Sequence, residues 1–113
     1  MKYFLKKIPR IFKVGLLNNI LIKDFGEIDL GEDEQITFLH VNNSRFDFVK
    51  KDWGFYATPS INGRLKNEGF KTALVKNGNG KIYIMAVHKT KQKLFKSYCE
   101  RESQTVLDWL DEI

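Results

Sequence analysis

The sequence predicts an α+β fold: a largely antiparallel sheet built from hairpins, with two short helices and a C-terminal strand–helix–strand unit. Three observations carry that expectation. Asn77-Gly78-Asn79-Gly80 joins two apolar-rich segments, and Asn-Gly is a strong hairpin signal because both residues accept a positive φ. Asn42-Asn43-Ser44 joins a second pair of alternating segments in the same way. Leu94, Phe95, Tyr98 and Cys99 then recur at the spacing that lines one side of a helix.

Taken in order, Ile11 to Leu17 alternates, with Phe12, Val14 and Leu16 on one face. Asn18-Asn19 supplies a turn, and Ile20 to Phe25 returns as the partner strand. Residues 1–10 are read as a basic, flexible terminal segment, frayed from that strand. Between Asp24 and Glu34 lie six acids and no base, the pattern of a solvated loop and strand edge. Glu34–Val41 and Arg45–Val49 form the next hairpin, placing His40 on the Ile36/Phe38 face as a packed or half-buried side chain. Pro59 suits the first position of a helix capped by Thr58, with Ile61 and Leu65 as its buried stripe and Gly69 as its stop. Phe70–Lys76 and Lys81–Val87 form the third hairpin, and a helix follows from Lys91 to Glu102. Thr105–Leu110 closes the chain as a strand, expected to run parallel to Lys81–Val87 through a right-handed crossover. No linker or repeat divides the chain, so residues 1–113 read as one domain.

Charge is unevenly placed. The chain carries 19 Lys and Arg against 14 Asp and Glu, yet Lys2, Lys6, Lys7, Arg10 and Lys13 all precede the first acid. The rest of the chain is balanced, so the whole net charge of +5 belongs to the opening segment. Such a segment, with Tyr3, Phe4, Leu5 and Ile8 among its cations, points to an anionic partner: a protein, a nucleic acid or a small anion. Lys2, Lys6, Lys7 and Arg10 are the expected contacts. His88, Lys91 and Lys93 form a second basic group at the start of the C-terminal helix. A ligand site is expected on the segment from Trp53 to Arg64. There Thr58 and Ser60 offer donors, Asn62 and Arg64 follow on the helix, and Tyr56 forms a wall. Gly54 and Gly63 in that stretch also suggest the close approach of a ligand or another backbone.

Catalytic and cofactor templates are missing. Two histidines and one cysteine lie far apart, giving no metal-ligand spacing, and no cofactor fingerprint is present. The leading expectation is therefore a non-enzymatic binding or accessory protein for an anionic partner or ligand. An RNA-binding module is the first alternative, and a small enzyme using His88 or His40 with Thr58 and Ser60 is the second. Single Cys99, no secretory signal and no apolar run of membrane-spanning length point to a cytoplasmic protein. Strands with apolar residues on both faces make a homodimer a further expectation.

The run Glu34-Gln35-Ile36-Thr37-Phe38, then Trp53-Gly54-Phe55-Tyr56-Ala57-Thr58-Pro59-Ser60-Ile61-Asn62-Gly63-Arg64-Leu65, and finally Trp109-Leu110-Asp111, resembles small uncharacterised bacterial single-domain proteins. That resemblance implies a bacterial domain of this size and carries no activity or functional residue with it.

Overall fold

The computed structural model describes residues 1–113 and is α+β, with antiparallel sheets assembled from hairpins. Eight strands and two α-helices follow one another along the chain: β1 (Lys2–Val14), β2 (Ile20–Asp29), β3 (Gln35–Leu39), β4 (Arg45–Lys51), β5 (Gly54–Ala57), α1 (Arg64–Asn67), β6 (Phe70–Lys76), β7 (Ile82–His88), α2 (Gln92–Arg101) and β8 (Thr105–Trp109). They make a β1-β2 hairpin, a β3-β4-β5 sheet and a β7-β6-β8 sheet. The chain divides into two compact units, residues 1–36 with 48–56, and residues 37–47 with 57–113.

In the first unit, β1 begins at Lys2, nine residues before the expected strand start. The reason lies in β2, which continues to Asp29 and supplies partners as far back as Lys2. Register is regular from Lys2↔Asp29 to Leu5↔Gly26, and again from Arg10↔Asp24 to Val14↔Ile20. Lys6, Lys7, Ile8 and Pro9 fall in the shift between these halves, opposite Phe25 alone. Pro9 has no N–H to give a ladder, so a bulge on a sheet edge is the place for it. The acidic run stays largely solvent-exposed, as expected, but it is not without partners. Asp24 binds Arg10 at 3.1 Å, Asp29 lies 3.5 Å from Lys50, and Asp33 pairs with Lys51. Leu30 and Val49 are the buried hydrophobic side chains of this unit.

The second unit holds most of the core. Leu65, Ala73 and Val75 are fully buried, with Phe70, Val87 and Cys99 nearly so. The central strand β6 pairs antiparallel with β7 on one side and with β8 on the other. β8 therefore runs in the same direction as β7, as the strand–helix–strand unit leads one to expect, but β6 lies between them. The Asn77–Gly80 turn is built as read: the Asn77 side chain accepts from the Asn79 and Lys81 N–H groups at 2.9 Å each. In the other turn Asn42 and Asn43 both take positive φ, 55° and 57°, and the Ser44 N–H closes on the Val41 carbonyl at 3.1 Å.

Three local expectations are corrected. α1 starts at Arg64, not Pro59, and Thr58 does not cap it. Ser60 captures the donors instead, through its carbonyl to the Gly63 and Leu65 N–H groups at 3.2 and 3.0 Å and its Oγ to the Arg64 N–H at 3.3 Å. His40 lies just beyond β3 and is exposed, because the strand ends at Leu39 and the chain turns there. Leu94 sits on the apolar stripe of α2 yet is 67% exposed, since the groove it borders is open.

Leu65 anchors α1 into this core. Leu65→Ala is expected to destabilise by about 3 kcal/mol, the transfer loss plus the cavity left behind. Chemical denaturation followed by tryptophan fluorescence measures it, and a loss under about 1 kcal/mol would mean the site collapses freely.

Candidate functional site

Alternation along the β1-β2 hairpin sorts its side chains onto two faces. In the half nearer the turn, Ile11 opposes Lys23 and Lys13 opposes Leu21, so one face carries two lysines, two aliphatics and no acid. The other face holds Phe12, Val14, Ile20 and Ile22 with the Arg10–Asp24 pair. There the Arg10 guanidinium lies 4.6 Å from the centre of the Phe12 ring. Asp24 is held below the usual carboxylate range by the Gly26 N–H first and Arg10 second. That face is thus internally neutral. Lys6 and Lys7 project from the bulge, and none of Lys6, Lys7, Lys13 or Lys23 pairs with a carboxylate.

The expected basic contacts accordingly separate. Lys6 and Lys7 are unpaired, Lys2 sits opposite Asp29, and Arg10 is committed to Asp24. Lys23, outside the opening segment, joins them across the ladder. The loop is Gly15 to Asn19 rather than the tight Asn18-Asn19 turn expected after Leu17. The ladder therefore closes on Val14↔Ile20 and sets Lys23 opposite Ile11, a register the sequence did not show. Leu16 and Leu17 at the tip are 60% and 70% exposed.

The Trp53–Arg64 residues have other attachments. Tyr56 belongs to the first unit, where its ring stacks on Trp53 with centroids 6.0 Å apart. Thr58, Ser60, Asn62 and Arg64 belong to the second. The Thr58 N–H donates to the Asp47 carbonyl at 2.9 Å, while its Oγ1 is buried without a partner. Asn62 is exposed in the turn before α1. Arg64 donates to Asp47 Oδ2 at 2.7 Å, and Thr37 donates to Oδ1 of the same buried carboxylate at 2.6 Å. The Thr37 hydroxyl, then Arg64, hold Asp47 below the carboxylate range despite its burial. Gly63 answers to Ser60, whose Oγ would lie 2.3 Å from an added Cβ, and nothing approaches Gly54.

His88 is the most constrained polar side chain of the second unit. The Thr90 N–H donates to its Nδ1 at 3.3 Å, so Nδ1 is an acceptor and the neutral ring carries its proton on Nε2. The Thr90 hydroxyl donates to the same Nδ1 at 2.7 Å, and Nε2–H donates to Ser44 Oγ at 3.0 Å. Burial, then the neighbouring His40, Lys89 and Lys91, push its pKa down and keep it neutral. In that tautomer Nε2 has no lone pair to take a proton from Ser44, and no carboxylate orients the ring. The hydroxyls His88 meets are those of Ser44 and Thr90. His40 stacks on it, with ring centroids 5.6 Å apart and planes 19° from parallel. Lys91 borders the same groove as these two imidazoles, and Lys93 does not.

No family model, curated protein or solved structure matches the chain. Nowhere do three or more His, Cys, Asp or Glu side chains converge as metal ligands would. Burial pushes the Cys99 thiol up, away from a reactive thiolate. No helix is long and apolar enough to cross a membrane.

Proposed function

We propose that the protein is a non-enzymatic binding protein that recognises an anionic macromolecular partner through the lysine-bearing face of its β1-β2 hairpin. One observation carries this reading: Lys13 and Lys23 stand exposed and unpaired beside exposed Ile11 and Leu21, on a face that holds no acid in the half nearer the turn, and exposed Lys6 and Lys7 follow in the adjoining bulge. Exposed lysines with no carboxylate to satisfy attract phosphate, sulfate or carboxylate groups and release the polyanion's counterions on contact, and the aliphatics between them can cover the contact. The apolar Phe12/Val14/Ile20/Ile22 face behind them suits a second copy of the chain, so the binding species is taken as a homodimer. An unpaired thiol fits the reducing cytoplasm, where we place it.

The test is fluorescence anisotropy with a labelled single-stranded RNA and a labelled heparin fragment, from about 50 to about 200 mM salt. Log affinity is expected to fall linearly with log salt for both. Replacing Lys6, Lys7, Lys13 and Lys23 together by alanine removes up to four phosphate contacts and flattens the RNA slope by about 3. An unchanged slope, or no binding to either polyanion, overturns the reading. An RNA-binding module is the second reading, favoured by the exposed rings of Phe4 and Phe25 on this hairpin. It requires tighter binding to RNA than to heparin and a loss of about tenfold in Phe25→Ala, the worth of one stacked base.

A further inference from the structure

The groove between β7 and α2 has a volume of about 640 Å³, within the range of small-molecule sites. It lies wholly within the second unit. Its walls are apolar, chiefly Met85, Val87, Leu94 and Phe95, and its polar lining is His40, His88, Lys91 and the ring of Tyr98. No carboxylate lines it. Two facts separate it from an ordinary surface depression. Leu94 is on the helix stripe that faces the sheet but is left largely exposed, so the stripe is wider than the core needs. Lys91 borders the apolar surface without any acid to neutralise it.

The charge inventory fixes the kind of occupant. His88 is spent on Ser44 and Thr90, so it offers no free donor, and it is held neutral. Lys91 is then the one permanent charge in the groove. One cation beside a long apolar wall matches a single negative charge on an apolar body; a di- or triphosphate needs several cations and gains nothing from Met85, Leu94 and Phe95.

We propose that this groove binds a small amphipathic monocarboxylate, its hydrocarbon body against Met85, Leu94 and Phe95 and its carboxylate on Lys91. This site is separate from the hairpin face and does not depend on it.

Nitrogen-15 amide spectra of the full chain, titrated with octanoate, 1-octanol and acetate, test it. Octanoate is expected to move the amides of Val41, of Met85 to His88 and of Leu94 to Tyr98. Acetate lacks the apolar body and should leave them in place. Lys91→Ala should weaken octanoate about tenfold and leave octanol unaffected, which reads the carboxylate contact as one charge-assisted hydrogen bond. Leu94→Asp, at an exposed position, should abolish binding of octanoate by putting a carboxylate in the wall. The proposal falls if octanol binds the unsubstituted protein as tightly as octanoate, if Lys91→Ala leaves octanoate affinity unchanged, or if the shifts map to the hairpin. The four-lysine hairpin variant must retain octanoate binding, so failure of one site is distinguishable from failure of the other.

Discussion

Gly26→Ala is expected to separate the base of the β1-β2 hairpin and to weaken polyanion binding about tenfold. Gly26 has φ of +127°, a region closed to residues with a side chain, and an alanine there is strained whatever surrounds it. The space is closed as well. An added Cβ would lie 1.9 Å from the Phe4 carbonyl oxygen and 3.1 Å from Leu5 Cα. These are backbone atoms of the partner strand, so no rotamer change relieves the overlap; the strands must part at the Leu5↔Gly26 step. Strain and lost pairing together cost about 3 kcal/mol or more. A two-stranded ribbon is marginal to begin with and has little reserve against such a loss. Two measurements read the result. Amide exchange should speed up across Lys2–Leu5 and Gly26–Asp29, while β6 and β7, whose core residues are Phe70, Val75 and Val87, keep their protection. The Asp24 carboxyl should also titrate higher, because the Gly26 N–H is the main group holding it down. Unchanged exchange with an unchanged Asp24 titration would mean that the hairpin tolerates a side chain at this step, and the geometry of the bulge would then be wrong.

The same hairpin shows what a sequence can and cannot disclose. That the chain reverses near Asn18 is legible, because Asn18 takes a positive φ and local chemistry of that kind is written in two or three adjacent residues. The register is not, since the loop starts at Gly15 and pairs Val14 with Ile20, and neither is the length of the hairpin. Lys2 to Pro9 reads as a charged tail until β2 is known to continue past Gly26 and offer it partners. The other two hairpins were legible for the same reason as the first, and the α+β class followed from them. The start of α1 is not legible because Thr58 and Pro59 make a good local start signal, whereas the chain first turns at Ser60, whose carbonyl and hydroxyl take the Gly63, Arg64 and Leu65 N–H groups, and the helix begins only after Gly63. Sites made by distant residues were the least legible. Ser44 and His88 are 44 positions apart and His40 and His88 are 48 apart, so their contacts exist only once the chain has folded. The basic group at His88, Lys91 and Lys93 was visible in the sequence. That His88 would be sealed between Ser44 and Thr90, leaving Lys91 alone with an apolar wall, was not. Gly69 shows the same limit. The sequence marks it as a helix stop, and it does take φ of +99°, but a Cβ there would also stand 2.8 Å from His88 Nε2.

Acid is expected to unfold the protein in two stages, and Asp111→Ala should remove much of the second at a cost of about 3 kcal/mol at neutral pH. His88 governs the first. Its pKa is lowered in the folded state from an ordinary 6.5, so the unfolded chain binds a proton more readily. Its contribution is complete above pH 6.5 and is lost as the pH falls from there towards the folded value. His88→Gln keeps a donor for Ser44 and cannot charge, so it should flatten that stage. Asp111 governs the second stage with Asp47. Asp111 is 3% exposed, and burial by itself would raise its pKa. The Thr72 N–H at 2.9 Å and the Lys71 ammonium at 3.4 Å outweigh burial and leave it lowered from 3.8. Here the stabilisation is complete above pH 3.8 and disappears as the pH falls through the folded value. Asp111→Ala leaves the Thr72 N–H buried without an acceptor, whereas Asp111→Asn keeps a carbonyl for it and gives up only the charge. Lys71 retains Glu112 at 2.9 Å and the Trp109 ring at 4.8 Å, so the asparagine variant should lose less than half as much stability as the alanine. Denaturant midpoints taken from pH 7.5 down to pH 3 separate the two stages. Equal losses for the two Asp111 variants would show that the carboxylate's charge, rather than its acceptor role on Thr72, holds the C-terminal turn against β6.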